Sequence, residues 1–233
     1  MSYYPQTLDE IIVYYDEIMK NVDSEAYNQK HRAYGGAIRA TKGQLQELIT
    51  HSLILIAWKE LGGNMSELKI NKDKIPIPIA SNYVDNLKDD KVRNYILNNL
   101  EDYKYKLSVD KHVFIKGKFV IGIECKAYTE NAMIKRILMD FKFLLQNFPN
   151  LKCFLFQLES QLGGDYSKLS DTTYGSKSTH AIMSHFDFNL SIITLLSGER
   201  DIQKPIHKFY KPLIKGNLIK AKDILKKALY EFI

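Results

Sequence analysis

At the start of the chain, the spacing of hydrophobic residues predicts two helices. Residues 8–22, LDEIIVYYDEIMKNV, form an amphipathic segment. Thr41 and Gln44 have the spacing of a capping box, and apolar residues follow them with a period of 3.6. The glycine pair at 62–63 ends this second helix, and the pair at 35–36 predicts a loop before it.

The middle of the chain predicts a β-hairpin. The prolines of IPIPI, residues 75–79, argue against helix and sheet pairing alike, and a charged helix is expected over 83–100. From Tyr103 to Tyr128, β-branched and aromatic residues alternate with polar ones on both sides of Gly117. This alternation is typical of two strands joined by two or three residues.

A helix and a buried strand follow the hairpin. Residues 129–148 show helical periodicity, with an apolar inner side formed by Met133, Ile137, Leu138, Phe141, Leu144 and Leu145. The segment LKCFLFQLE, residues 151–159, is almost continuously apolar, as expected for a central strand. Strand, helix and strand together predict a parallel βαβ unit with a right-handed crossover.

The last third of the chain gives weaker patterns. Residues 160–180 are rich in Gly, Ser and Thr, which predicts a long loop region. An apolar segment (187–196) and a terminal amphipathic helix (218–233) follow it. We therefore expect an α/β fold with a mixed central β-sheet flanked by helices, in a single domain spanning residues 1–233.

Composition and charge narrow the class of protein. The 233 residues are 45% hydrophobic and 26% charged, and no apolar run approaches the roughly 20 residues of a membrane span. The start of the chain lacks a secretory pattern and two cysteines are too few for a disulfide framework, so a cytoplasmic location is expected. Residues 200–227 carry a local charge of +7, which attracts polyanions or forms a solvated basic face.

The hairpin also places charged residues together. Because successive strand side chains alternate, Glu124 and Lys126 share one face, whereas the other face holds Phe119, Ile121, Ile123 and Cys125. A three-residue loop at 116–118 pairs Ile115 with Phe119, Val113 with Ile121, Asp110 with Glu124, and Val109 with Cys125. This register keeps Val109, Val113 and Ile115 on the apolar face and leaves Lys111 as its one exception. A two-residue loop would turn Asp110 towards the apolar face.

Two opposed carboxylates need a reason to coexist. They would lie about 5 Å apart and repel by roughly 3 kcal/mol at an effective dielectric constant of 20. A divalent cation removes this repulsion, and ligation by oxygen alone favours Mg²⁺, with Mn²⁺ as a substitute, over zinc.

Asp110, followed after thirteen residues by Glu124-Cys125-Lys126, resembles the PD-(D/E)-x-K motif of type II restriction endonucleases and related nucleases. Val109 stands where the motif has proline. The resemblance implies an α-β-β-β-α-β catalytic core within residues 41–159. It also implies that Asp110 and Glu124 bind the metal and that Lys126 positions or helps to deprotonate the attacking water. Glu47, on the preceding helix, resembles an additional outer acidic residue.

The resemblance further implies a Mg²⁺-dependent, sequence-specific endonuclease of double-stranded DNA that leaves 5′-phosphate and 3′-hydroxyl ends and needs no organic cofactor. One site in each chain implies a homodimer with a palindromic target, and residues 160–233 are expected to supply recognition and dimerisation. Candidate DNA contacts are Arg39, Lys42, Lys135, Arg136, Ser176, Lys177, Thr179 and His180. Two alternatives are a repair or recombination nuclease of the same superfamily and a basic nucleic-acid-binding protein without catalysis.

Overall fold

A computed structural model describes residues 4–28, 34–164, 166, 176–200 and 210–233. In chain order the elements are α1 (Leu8–Asn28), α2 (Tyr34–Glu60), β1 (Leu68–Asn71), β2 (Ile75–Pro78), α3 (Ser81–Asp85), α4 (Asp90–Asn98), β3 (Lys104–Leu107), β4 (Lys111–Ile115), β5 (Lys118–Thr129), α5 (Asn131–Asn147), β6 (Lys152–Ser160), α6 (Lys177–Met183), β7 (Leu190–Thr194) and α7 (Lys215–Leu229), followed by a short 3₁₀ helix at Tyr230–Phe232. None of the described helices is long and apolar enough to cross a membrane.

The central sheet has the strand order β1-β4-β5-β6-β7. β4 pairs antiparallel with β1 and β5, whereas β6 pairs parallel with β5 and β7. The predicted mixed sheet flanked by helices is confirmed, as is the parallel pairing of the strands before and after α5. The order α2, β1, β4, β5, α5, β6 matches the expected core, although its first strand, β1, was not located from the sequence.

Apolar residues cover both faces of this sheet. One core contains Val113, Ile121 and Ile123 and packs against residues of α1, α2 and α7. The other contains Phe141 and further inward residues of α5. Gly122 allows a close approach here, because a Cβ atom at this position would lie 3.0 Å from the Phe141 ring. The absence of a side chain at Gly122 thus brings α5 close to the middle of β5.

An insertion between β1 and β4 holds a second, two-stranded sheet of β2 and β3. The expectation that the prolines of residues 75–79 prevent sheet pairing is therefore wrong. The N–H of Ile79 points at β3 and donates to Tyr103 O at 3.1 Å. By the alternation of strand residues, Pro76 and Pro78 then have their nitrogens on the outer edge, where they interrupt no ladder hydrogen bond.

Two predicted helix boundaries differ from the structure. α2 begins at Tyr34 and runs through Gly35 and Gly36, so neither the loop nor the cap at Thr41 is present. Its apolar pattern extends further back than Thr41, because Ile38 packs against Val22 of α1. The charged segment 83–100 forms two helices, since the Asp89 side chain accepts from Lys91 N and Val92 N and begins α4.

The expected loop at 160–180 is helical in its last part. Ser176 caps α6 by accepting a hydrogen bond from Thr179 N, so Lys177 to His180 belong to a helix. Residue 165 and residues 167–175 lie outside the described part of the chain. The glycine pair at 62–63 does end α2, and Gly62 has a φ of +77°.

Candidate active site

The β4–β5 hairpin differs from the prediction at its tip and agrees with it further down. Ile115 pairs with Lys118, so the loop has two residues, Lys116 and Gly117, with φ values of 49° and 77°. The register then shifts, and Val113 pairs with Ile121 as predicted. The shift leaves Val120 as an extra residue, a β-bulge that restores the predicted register below the two-residue turn.

Two predicted face assignments are wrong, and the bulge explains the first of them. Val120 and Ile121 both lie in the core beneath α2, whereas Phe119 lies in the core beneath α5 and not with Ile121 as predicted. Val109 lies in the α5 core as well, because the strand begins only at Lys111. The Val109 N–H donates to Nε2 of buried His112 at 3.1 Å, which turns the chain before β4.

This turn brings Asp110 to Glu124 and Lys126. Asp110 Oδ2 accepts a hydrogen bond from Cys125 N at 2.9 Å. The Lys126 ammonium lies 3.6 Å from Asp110 Oδ2 and also donates to Glu124 Oε1. The two carboxylates therefore meet at one lysine, at the carboxyl-terminal half of β5.

Three further side chains extend this group. Glu47 of α2 lies 3.1 Å from Lys111 Nζ and 3.3 Å from Lys72 Nζ, and Lys72 Nζ lies 3.9 Å from Asp110 Oδ1. We call the resulting set the site cluster; its members, in order of contact, are Lys111, Glu47, Lys72, Asp110, Lys126 and Glu124. Cations and anions alternate along it, and it borders a cleft of about 300 Å³ between α2, β5 and α5.

The surroundings of Glu124 disfavour its charged form. Burial raises its pKa above the usual value of 4.5, the negative charge of Asp110 raises it further, and Lys126 only partly offsets both. Burial alone would lower the pKa of Lys126, but the charge and hydrogen bond of Glu124 raise it. The site thus concentrates negative charge that its own lysine does not fully stabilise.

No family model matches the chain. It is, however, 51% identical to the type II restriction enzyme DdeI of Desulfomicrobium norvegicum, over an alignment that covers 97% of each protein. The chain belongs to the type II restriction enzymes. It is a sequence-specific DNA endonuclease, and this membership decides against a repair nuclease and against a binding protein without catalysis. DNA is its partner, and a divalent metal ion is its cofactor.

The donor set of this restriction enzyme fits a divalent ion that is bound through oxygen. Among the residues that the structure describes, no three His, Cys, Asp or Glu side chains converge as a complete metal site. Asp110 and Glu124 converge as a pair, and their side chains are 22% and 15% exposed. Two carboxylates with access to solvent suit Mg²⁺, which keeps several water or phosphate ligands of its own.

Sequence reasoning missed three charged residues of the restriction enzyme's site. Lys111 was the exception on the apolar face, and a charge there should have predicted an acidic partner, which is Glu47. Lys72 follows β1, whose pairing of Asn71 with His112 depends on contacts far apart in sequence. Asp140 of α5 also raises the pKa of Glu124, and its own pKa is raised by burial.

Four of the candidate DNA contacts lie on α2 and α5. Lys135 and Arg136 are exposed on α5, and Arg136 Nε lies 3.8 Å from Asp140. Lys42 is only 6% exposed, which leaves little of its side chain accessible to DNA. Arg39 lies in α2, but its side chain is outside the described part. Contact of these residues with DNA stays a prediction.

The other four candidates surround the start of α6. Lys177 and His180 are exposed, whereas Thr179 is fully buried. Thr179 Oγ1 lies 2.7 Å from Asn131 Oδ1 and 2.8 Å from Ser176 Oγ. These contacts tie the start of α6 to the start of α5, so Ser176 and Thr179 position α6 whether or not they reach DNA.

Much of the basic block at 200–227 is paired within the chain. Lys211 lies 3.1 Å from Glu159, and Lys222 and Lys226 both contact Glu60. Arg200 instead lies over the ring of Tyr128, 3.8 Å from its centre, and Tyr128 lines the cleft. Residues 201–209 lie outside the described part of the chain.

Proposed function

We propose that this restriction enzyme cleaves both DNA strands with Mg²⁺ held by Asp110 and Glu124, with Mn²⁺ as a substitute, and leaves 5′-phosphate and 3′-hydroxyl ends. The observation that carries the proposal is the meeting of both carboxylates at the Lys126 ammonium. A hard cation at the same point would relieve the conditions that raise the pKa of Glu124.

Each side chain then has a defined part. The Cys125 N–H fixes one oxygen of Asp110, which leaves the other oxygen for the metal. Lys126 places a positive charge beside both carboxylates, where it positions the attacking water or helps to deprotonate it. Glu47 would not bind the metal directly, because its contacts are with Lys72 and Lys111. The bound metal would lower the pKa of the water and stabilise charge on the phosphate.

We infer further that the enzyme works as a C₂ homodimer on a palindromic target, in the cytoplasm and without an organic cofactor. One site per chain supports the dimer, since symmetric cleavage of two strands needs two sites. The chain would form a single nuclease domain over residues 1–233, with the catalytic core in 41–159 and recognition and dimerisation elements in 160–233.

The proposal is tested by digestion of a mapped plasmid with Mg²⁺, followed by sequencing of the fragment ends. We expect discrete fragments with the stated end chemistry, a matching pattern with Mn²⁺, and no cleavage in EDTA. Sedimentation of the enzyme with and without a target duplex would test the dimer.

Asp110→Asn and Glu124→Gln supply the matched controls, because each keeps the side-chain shape and removes the charge. Both variants should weaken Mg²⁺ binding in calorimetry and abolish cleavage. Unchanged Mg²⁺ affinity in both variants would contradict the assigned metal site, and cleavage that persists in EDTA would contradict metal dependence.

A further inference from the structure

Lys72 belongs to the site cluster but has no part in the catalytic motif. We propose that Lys72 binds a phosphate of the DNA backbone in the active site. Before the divalent ion binds, Lys72 forms ion pairs with Glu47 and Asp110. Binding of the ion breaks the contact with Asp110 and leaves the Lys72 ammonium available to the phosphate. This inference rests on the proposed metal site at Asp110 and Glu124.

The three lysines of the site cluster differ in how tightly they are held. The Lys111 side chain is 11% exposed and the Lys126 side chain 32%, whereas Lys72 is 58% exposed. Lys72 also makes the longest contact of the set, 3.9 Å to Asp110 Oδ1, next to its 3.3 Å contact with Glu47. Of the three lysines, Lys72 should therefore lose the least free energy when its ion pairs are broken.

A metal ion at Asp110 would compete directly with Lys72 for that carboxylate. An exposed ion pair contributes about 0–1 kcal/mol, and a divalent ion in contact with two carboxylates interacts much more strongly. Glu47 would keep a partner after the exchange, because the Lys111 side chain is only 11% exposed and its Nζ lies 3.1 Å from Glu47. Lys111 thus stays paired with Glu47, whereas the metal ion can replace Lys72 at Asp110.

The net charge of the site cluster indicates how the release of Lys72 would favour DNA binding. Three lysines and three carboxylates leave the site cluster without net charge, so it has little attraction for a phosphate. The divalent ion would add positive charge and free the Lys72 ammonium, which lies on a flexible stem beside two residues that line the cleft, Glu47 and Asp110. Metal binding and DNA binding would then favour each other by the same factor.

The first test measures Mg²⁺ binding by calorimetry without DNA. Removal of the competing ammonium in Lys72→Met should tighten Mg²⁺ binding by about two- to fivefold, the equivalent of one exposed ion pair. The matched control is Lys74→Met, since Lys74 is also exposed and lies two residues further along the chain. Its Mg²⁺ affinity should equal that of the unchanged protein.

The second test measures the salt dependence of affinity for a target duplex whose scissile linkages resist cleavage. In Mg²⁺, Lys72→Met should reduce the slope of log affinity against log salt by about 0.9, the value for one phosphate contact. In EDTA the slope should not change. Lys72→Arg should keep the slope in both conditions, which a purely structural role would not predict.

The outcomes separate this inference from the assigned metal site. If Asp110→Asn weakens Mg²⁺ binding but Lys72→Met changes neither Mg²⁺ affinity nor the slope in Mg²⁺, the role of Lys72 is wrong and the metal site stands. If Asp110→Asn and Glu124→Gln leave Mg²⁺ affinity unchanged, the metal site fails and the role of Lys72 with it.

Discussion

Two groups of lysines and carboxylates in this enzyme are built from the same residue types and behave in opposite ways. At the end of α2, Glu60 accepts hydrogen bonds from Lys222 at 2.8 Å and from Lys226 at 3.0 Å, both on α7. The hydrogen bond from Lys222, and then that from Lys226, lower the pKa of Glu60 despite partial burial. In the site cluster, the pKa of Glu124 is raised.

The difference lies in burial and in the neighbouring charges. Glu60 has two cations and remains exposed enough for water to solvate it, so its charge is favourable and ties α2 to α7. Glu124 has one lysine, a second carboxylate and less water. A group that is less stable when charged is a typical component of a functional site, because a ligand can supply the missing interaction. The Glu60 group stabilises the fold, whereas the raised pKa of Glu124 is what the proposed metal ion would relieve.

The largest difference is expected in catalysis. Lys126→Ala should reduce the cleavage rate by at least about 10²-fold, since it removes a charge placed beside the reacting phosphate. Duplex affinity should stay within several-fold of its original value. Lys222→Met is the matched control, and its cleavage rate should be unchanged. Full activity of Lys126→Ala in plasmid digestion would remove Lys126 from the mechanism.

A difference in stability should follow when one acid is removed from each group. Glu47→Ala leaves the Lys111 ammonium, whose side chain is only 11% exposed, without its partner and should lower the free energy of unfolding by about 1–3 kcal/mol. Glu60→Ala leaves Lys222 with a second carboxylate, Asp223, 3.9 Å away, and should cost at most about 1 kcal/mol. Urea denaturation gives both values.

The double variant Glu47→Ala with Lys111→Met tests the reason for the larger decrease. It should recover part of the stability, because it no longer buries an unpaired charge. Equal decreases for Glu47→Ala and Glu60→Ala would show that the two groups do not differ in this respect.

The two carboxyl groups should have opposite effects on the pH dependence of unfolding. A raised pKa means that folded Glu124 favours the fold below pH 4.5 and that this contribution is lost as pH rises towards the raised value. A lowered pKa means that Glu60 stabilises the fold above pH 4.5 and that this contribution is lost as pH falls through the lowered value.

We therefore compare Glu124→Gln and Glu60→Gln with the unchanged protein by urea denaturation in EDTA, from pH of about 3 to about 8. The stability of Glu124→Gln relative to the unchanged protein should improve as pH rises above 4.5. The relative stability of Glu60→Gln should decline as pH rises towards 4.5. Parallel curves for the two variants would contradict the comparison.

The smallest expected effect concerns non-specific attraction to DNA. Lys135 and Arg136 are exposed on α5, and replacing both with Ala should flatten the salt dependence of duplex affinity by about 0.9 for each phosphate that the protein no longer binds. Replacing Lys222 and Lys226 should leave the slope unchanged, because both already contact Glu60. The reverse result would assign DNA binding to α7.

Periodicity predicted the elements whose stability is decided locally. α1, α5 and α7 carry one apolar face each, and β6 is apolar on both faces, so their positions follow from the sequence. β1 and β2 were missed because four-residue strands give little periodicity and depend on distant partners. Residues 104–107 were predicted as part of the hairpin, whereas they form β3 and pair with β2. The start of α2 was missed because two adjacent glycines rarely lie inside a helix.

The prediction placed Asp110, Glu124 and Lys126 together because it had the correct strand register, although it assumed a three-residue turn where the structure has two residues and a bulge. The two-residue loop alone would have separated Asp110 from Glu124, and the Val120 bulge cancels that shift. A single extra residue of this kind has no clear pattern in a run such as KFVIGI. Lys72 could not have been placed, because only the pairing of β1 with β4 brings it to Asp110.

The turn of the β4–β5 hairpin is a position at which a label could be attached to this enzyme. Lys116 and Gly117 are exposed at one end of β5, while Glu124 and Lys126 lie in its other half. β1 pairs with β4 and β6 pairs with β5, so each strand of the hairpin also has a neighbour outside it. A fluorophore or short affinity tag inserted between Lys116 and Gly117 would thus lie at the end of β5 opposite to Glu124 and Lys126.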